Sequence, residues 1–110
     1  MELNDYQSQV KIFNNDPAGL GPYMSILGLN KCMGEYCSIM SNMINGDNEK
    51  FTADEANKIK VVLGDMLYWI SHTADALEVQ LDDIADINIR KHHIAQEYRL
   101  KKSSMRQIKK

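Results

Sequence analysis

Two carboxylates stand out in this sequence, Glu35 and Asp65, because each interrupts a stretch whose other residues have the spacing of a core-forming helix. A carboxylate is costly to bury unless it meets a cation or a polar partner. One acid in each of two neighbouring apolar helices therefore predicts a polar site shared between them. Three residues before these acids stand Cys32 and Val62, one turn away on the same helical faces. Cys32, Glu35, Asp65 and His72 together have ligand types that Zn²⁺ accepts. The plainer reading is adopted here, because a buried cysteine behaves mostly as a small hydrophobe. Similarly, Trp69 is read as a core residue in preference to a base-stacking surface, and His92 and His93, adjacent and so unable to share one helix face, as surface residues.

The elements that must position these residues can be read from local signals. Leu3 to Asn14 reads as a first helix capped by Asn4 or Asp5, with Tyr6, Val10 and Phe13 as its stripe, ended by the run Asn14-Asn15-Asp16-Pro17-Ala18-Gly19. Pro22 is suited to the first turn of a second helix, predicted from Tyr23 to Ile44 with a seam of Leu29, Met33, Tyr36, Met40 and Met43. Asn45, Gly46 and Asp47 close it, Gly46 as a left-handed terminator. Thr52 followed by Glu55 is a capping box with Phe51 as its staple, and opens a third helix whose expected buried seam is Ile59, Leu63, Met66, Ile70 and Leu77. Glu78 to Gln80 make the next break. Asp82, Asp83 and Asp86 open a fourth helix with an apolar stripe of Leu81, Ile84, Ile87, Ile94 and Tyr98. The expectation is an all-α bundle of about four helices without a β-sheet, with helices two and three antiparallel. Residues 1–100 form one domain and residues 101–110 a basic C-terminal extension.

Composition agrees with this. The chain has 110 residues, 44% hydrophobic and 25% charged, which suits a single globular domain. Both prolines precede residue 23, leaving the remainder free for long helices. No run approaches the roughly 18 apolar residues of a membrane span, so no membrane partner is expected. Cys32 and Cys37 lie five apart on one helix, about 140° around its axis, which argues against their pairing and for a reducing, cytoplasmic setting. Charge is divided sharply. Residues 1–88 hold 14 acidic and five basic side chains, whereas residues 89–110 hold eight basic residues against Glu97. A solvated basic helix end is the reading adopted, over nucleic-acid binding, because only Tyr98 there offers a stacking surface. Met and aromatic residues on several faces, including Met24, Met40, Met43 and Trp69, predict a homodimer or homotetramer.

The runs Gly28-Leu29-Asn30-Lys31-Cys32-Met33-Gly34-Glu35, Leu63-Gly64-Asp65-Met66-Leu67-Tyr68-Trp69-Ile70 and Asp86-Ile87-Asn88-Ile89-Arg90-Lys91, in this order, resemble the MazG-like nucleotide pyrophosphohydrolases. The opening Leu3-Asn4-Asp5-Tyr6-Gln7 is similar to the start of short, single-domain members common in phages. The resemblance implies Mg²⁺, or Mn²⁺ in its place, held by a Glu-x-x-Glu and a Glu-x-x-Asp on two helices. It also implies cleavage of a nucleoside triphosphate to monophosphate and pyrophosphate. Glu35 and Asp65 match the second acid of each pair, as metal-binding and catalytic residues, and Asn88 and Lys91 match nucleotide-binding positions. Cys32 and Val62 replace the first acids, and no carboxylate one turn away substitutes for them. Loss of a general base alone costs on the order of 10²- to 10⁴-fold. Weak or absent turnover is therefore expected, and a non-catalytic scaffold that binds nucleotide or a phage host's protein is the alternative.

Overall fold

The computed structural model describes residues 1–16, 19–46 and 50–108. Four helices follow one another: α1 (Leu3–Val10, extended by a 3-10 turn, Lys11–Phe13), α2 (Gly21–Asn45), α3 (Ala53–Ala76) and α4 (Leu81–Ile108). There is no strand among the described residues, so the fold is all-α. The expectations for Pro17, Ala18, Asp47, Lys109 and Lys110 lie outside the described residues.

The capping box forms as its spacing requires. Thr52 Oγ accepts from Glu55 N at 3.1 Å and Glu55 Oε1 accepts from Thr52 N at 2.9 Å, which satisfies two donors that the first turn of α3 leaves open. From there α3 runs back along α2. Gly21 faces His72 and Ala76, Ser25 bonds His72, and Gly28 faces Trp69. Further along, the Cys32 thiol lies in the field of Asp65, and Glu35 shares a groove with Val62. Each advance along α2 thus matches an equal retreat along α3, and the pair is antiparallel.

Small and polar residues form the line between the two helices: Ser25, Gly28, Cys32, Val62 and His72 are all buried. The expected seams are only partly covered: Leu29, Tyr36, Met40 and Met43 of one and Ile59 and Met66 of the other are half-buried, whereas Met33, Leu63, Ile70 and Leu77 are exposed. The physical reason is close approach. Gly28 has no side chain, so Trp69 sits directly over its backbone and the helices meet along their small residues.

Other local expectations shift as well. α1 has no side-chain cap; Asn4 instead accepts from Asp82 N at 3.2 Å and Gln7 Oε1 from Leu81 N at 2.8 Å, so α1 caps the start of α4. Gln7 Nε2 completes the tie by donating to Asp75 Oδ1 and to the Val79 carbonyl, each at 2.9 Å. Gly46 ends α2 at φ −85°, not in the left-handed region. That conformation falls to Glu78, at φ 59°, where Val79 N bonds the Ala74 carbonyl and Glu78 N the Asp75 carbonyl, a Schellman closure without glycine. An L-residue there carries about 1–2 kcal/mol of steric cost. Glu78→Gly is expected to raise stability by up to about 1 kcal/mol, read as a higher denaturation midpoint at unchanged slope.

α4 continues unbroken through residue 101 to Ile108, so the basic residues of 101–108 belong to the same helix. Of its expected stripe only Leu81 is buried; Ile84, Ile87, Ile94 and Tyr98 are exposed. The radius of gyration is 19.0 Å, against about 13 Å for a compact chain of this length. The accessible surface is 8876 Å², against about 6,200 Å² for a compact monomer of this mass.

Candidate functional site

The α2/α3 hairpin brings Cys32, Val62, Glu35 and Asp65 together. Cys32 and Val62 are 3% and 5% exposed and fill the line between the helices, whereas Glu35 and Asp65 lie in solvent on either side of them. The premise that the two acids are buried is therefore corrected: they project from the hairpin, and it is the two positions one turn before them that form core.

Burial pushes the Cys32 thiol up, the nearby carboxylates of Asp65 and Glu35 push it further, and Lys31 offsets part of the effect. The thiol stays protonated and is a poor metal ligand in that form. Asp65 also faces α1. Desolvation first, and then the charge of Asp65, raise the Tyr6 phenol. Alkylation should report this difference directly, with exposed Cys37 modified rapidly in the native protein and Cys32 only as the protein unfolds. Mass spectrometry of a native time course checks it.

A groove of about 430 Å³ opens beside Glu35, lined also by Ser38, Ile39, Lys58, Val61 and Val62. Its floor is apolar and its rim carries one acid and one lysine. Among the described residues no group of three or more His, Cys, Asp or Glu side chains is placed to hold a metal ion. With a protonated thiol and a valine where two carboxylates would be needed, the residues present do not fit a resident Mg²⁺ or Mn²⁺ centre.

The Zn²⁺ alternative fails on geometry. His72 lies two turns beyond Asp65, about 10 Å along α3, and its ring is already engaged. Its Nδ1 is 2.7 Å from Ser25 Oγ and its Nε2 faces the Asp16 carboxylate. Sequence reading missed this Ser25–His72–Asp16 chain, because Asp16 and Ser25 reach His72 from other elements and no local spacing signals it. The residue types suggest a hydrolase triad, but Ser25 is 1% exposed and its hydroxyl also donates to the Gly21 carbonyl at 3.1 Å. No substrate reaches it. Its effect is to tie the segment before α2 to the hairpin.

Asn88 and Lys91 are exposed on α4, and a second concavity there, of about 400 Å³, is lined by Ile87, Arg90, Lys91 and Ile94 alone. Within one chain they take no part in the groove beside Glu35, which is lined by α2 and α3 alone. Trp69 packs over Gly28 and edge-on to Tyr68, with ring centroids 5.0 Å apart, and is half-buried there. His92 and His93 are exposed. No described helix is long and apolar enough to cross a membrane. Comparison with protein-family models, with curated proteins and with solved structures finds no match.

Proposed function

We propose that this chain is a short, phage-type member of the MazG-like nucleotide pyrophosphohydrolases whose hairpin still binds nucleotide but whose metal site has decayed. One observation supports the reading above others. Cys32 and Val62, which stand where the resemblance calls for acids, are packed as core, while Glu35 lines the groove and Asp65 is exposed on α3. A site that is only half charged binds a metal–nucleotide complex weakly and lacks the groups to activate water. Conversion of nucleoside triphosphate to monophosphate and pyrophosphate is accordingly slow or lost.

Assembly belongs to the same reading. The protomer exposes about 2,700 Å² more than a compact monomer of its mass, and the excess includes Met33, Val61, Leu63 and Ile70 on the hairpin. A homodimer at least is the proposed working form, with a homotetramer as the larger option. Light scattering should give no less than twice the chain mass of 12.6 kDa. The two free cysteines suit a reducing, cytoplasmic setting.

The test of function incubates the protein with standard and modified nucleoside triphosphates and Mg²⁺ or Mn²⁺, and follows their phosphate state. Little or no pyrophosphate is expected. Turnover within the ordinary enzyme range of about 1–10³ s⁻¹ would show that the site is intact and the reading of decay mistaken.

A further inference from the structure

From Asp86 to Gln107 every side chain of α4 is exposed, which leaves about 30 Å of helix without a buried residue. Its basic residues fall on one half of that length. With the line from Ile87 to Met105 as centre, Lys91, Lys102, Arg106 and Arg99 lie within about 120° on one side, and Arg90 and Lys101 within about 60° on the other. The opposite half carries the one acid, Glu97, with His92, His93 and Gln96. None of the six cations meets a carboxylate among the described residues, where the ion pairs are Lys58–Asp54 and His72–Asp16. They are sorted by face and left unpaired.

The scarcity of stacking surface argues against single strands, and the structure strengthens that point, since the Lys102 ammonium stands 6.0 Å over the Tyr98 ring. A duplex needs no stacking. It presents two rows of phosphates, about one charge per 1.7 Å of its axis. A helix with its side chains is about 10–12 Å across and the major groove of B-DNA about 12 Å wide, so a helix lying there has phosphates on both flanks and base edges beneath. α4 has this arrangement over about 24 Å from Arg90 to Arg106, with cations on each flank and Ile87, Ile94, Tyr98 and Met105 between them. The deep, narrow major groove of A-form RNA does not admit it. Nor does the stripe suit a bilayer, being one residue wide and bordered by charge on both sides. The 14 acids of residues 1–88 repel DNA, but Arg99 to Arg106 stand about 20–30 Å beyond Asp86, two to three Debye lengths at about 0.1 M salt.

We propose that the exposed length of α4 is a docking helix for double-stranded DNA. It lies in the major groove, with Arg90 and Lys101 on one phosphate row and Lys102, Arg106 and Arg99 on the other. Contacts of this kind position the helix and carry no base code, so binding is largely independent of sequence. The inference stands without the nucleotide reading, since the hairpin groove takes no part in it.

Fluorescence anisotropy of a labelled mixed-sequence duplex of about 20 base pairs, titrated with the full chain, tests it. At about 50 mM salt the Kd should be about 100 µM or tighter, and log K should fall with log salt at a slope of about −4 to −5, the value for about five phosphate contacts. Lys101→Gln with Lys102→Gln should weaken binding at least tenfold and make the slope shallower by about two. Arg99→Gln with Arg106→Gln should do the same. All four residues are exposed and glutamine sustains a helix, so circular dichroism should not change. Lys50→Gln with Lys60→Gln, which removes two exposed cations from the acidic body, should alter neither affinity nor slope. A wild-type Kd weaker than about 100 µM would overturn the proposal, as would equal losses in the α4 and body variants. Tighter binding to a single strand or to an RNA duplex of the same sequence would overturn the groove fit, and retention on anionic vesicles without duplex binding would assign α4 to a membrane surface instead.

Discussion

Restoring both acids, Cys32→Glu with Val62→Glu, is expected to lower stability sharply without metal and to recover it when Mg²⁺ or Mn²⁺ is added. Cys32 and Val62 are almost wholly buried, so a single glutamate at either position places a carboxylate in core without a partner. Leaving a buried charge uncompensated costs about 3–5 kcal/mol, which is much of the stability of a domain this size. In the double variant the two new acids also repel each other and the charges of Glu35 and Asp65. A divalent ion reverses the sign of that interaction. Binding to the folded state alone then stabilises by mass action, and the midpoint becomes metal-dependent. The pair should act as a unit, each single variant showing the loss without the recovery. Thermal unfolding of wild type and the three variants, with and without metal, reads all of this. A double variant that folds but responds to neither ion would mean that the cleft has changed beyond those two positions.

Gly28→Ala should be among the most damaging small substitutions in the chain. A Cβ there would sit 2.1 Å from Trp69 Cε2 and 2.3 Å from its Cδ2, so the indole itself must move. The ring has little room, packed edge-on to Tyr68 and to His72 at centroid distances of 5.0 and 5.5 Å. Overpacking of this kind costs about 1–3 kcal/mol or more, and alanine's better helix propensity returns about 1 kcal/mol of it. A net loss of about 2 kcal/mol is expected, with a red-shifted Trp69 emission as the hairpin opens. Gly34 and Gly64 provide the control, since nothing lies within 4 Å of a Cβ at either. Gly34→Ala and Gly64→Ala should each stabilise by about 0.5–1 kcal/mol. If all three alanine variants behaved alike, the helices would not meet at Gly28.

These two sites show what was legible in the sequence. The Thr52–Glu55 capping box could be read because its chemistry is complete within four residues. The helix order and the break at 78–80 followed from periodicity and from the acids before α4. Periodicity says which residues share a stripe but not how fully it is covered, and the Leu29–Met43 and Ile59–Leu77 seams, partly half-buried and partly exposed, show the difference. The buried line runs through Ser25, Gly28 and Cys32, whose small size permits close approach and leaves no hydrophobic signature. Glu78 holds a left-handed turn with no glycine to announce it. The Asp16–His72 contact spans two elements, beyond any local spacing. At the candidate site, the burial of Cys32 is legible from its residue type, but that Val62 is buried beside it and that Glu35 and Asp65 are exposed needed the packing.

The central claim, a nucleotide-binding hairpin without an effective metal site, is tested most directly by amide chemical-shift mapping of the wild-type protein titrated with a nucleoside triphosphate, with and without Mg²⁺. The account predicts saturable shifts concentrated in residues 31–39 and 58–69, around Cys32, Glu35, Val62 and Asp65, with a Kd of about 1 mM or tighter, and a triphosphate still intact at the end of the titration. Shifts absent from both segments up to about 10 mM nucleotide, whatever the metal, would contradict it.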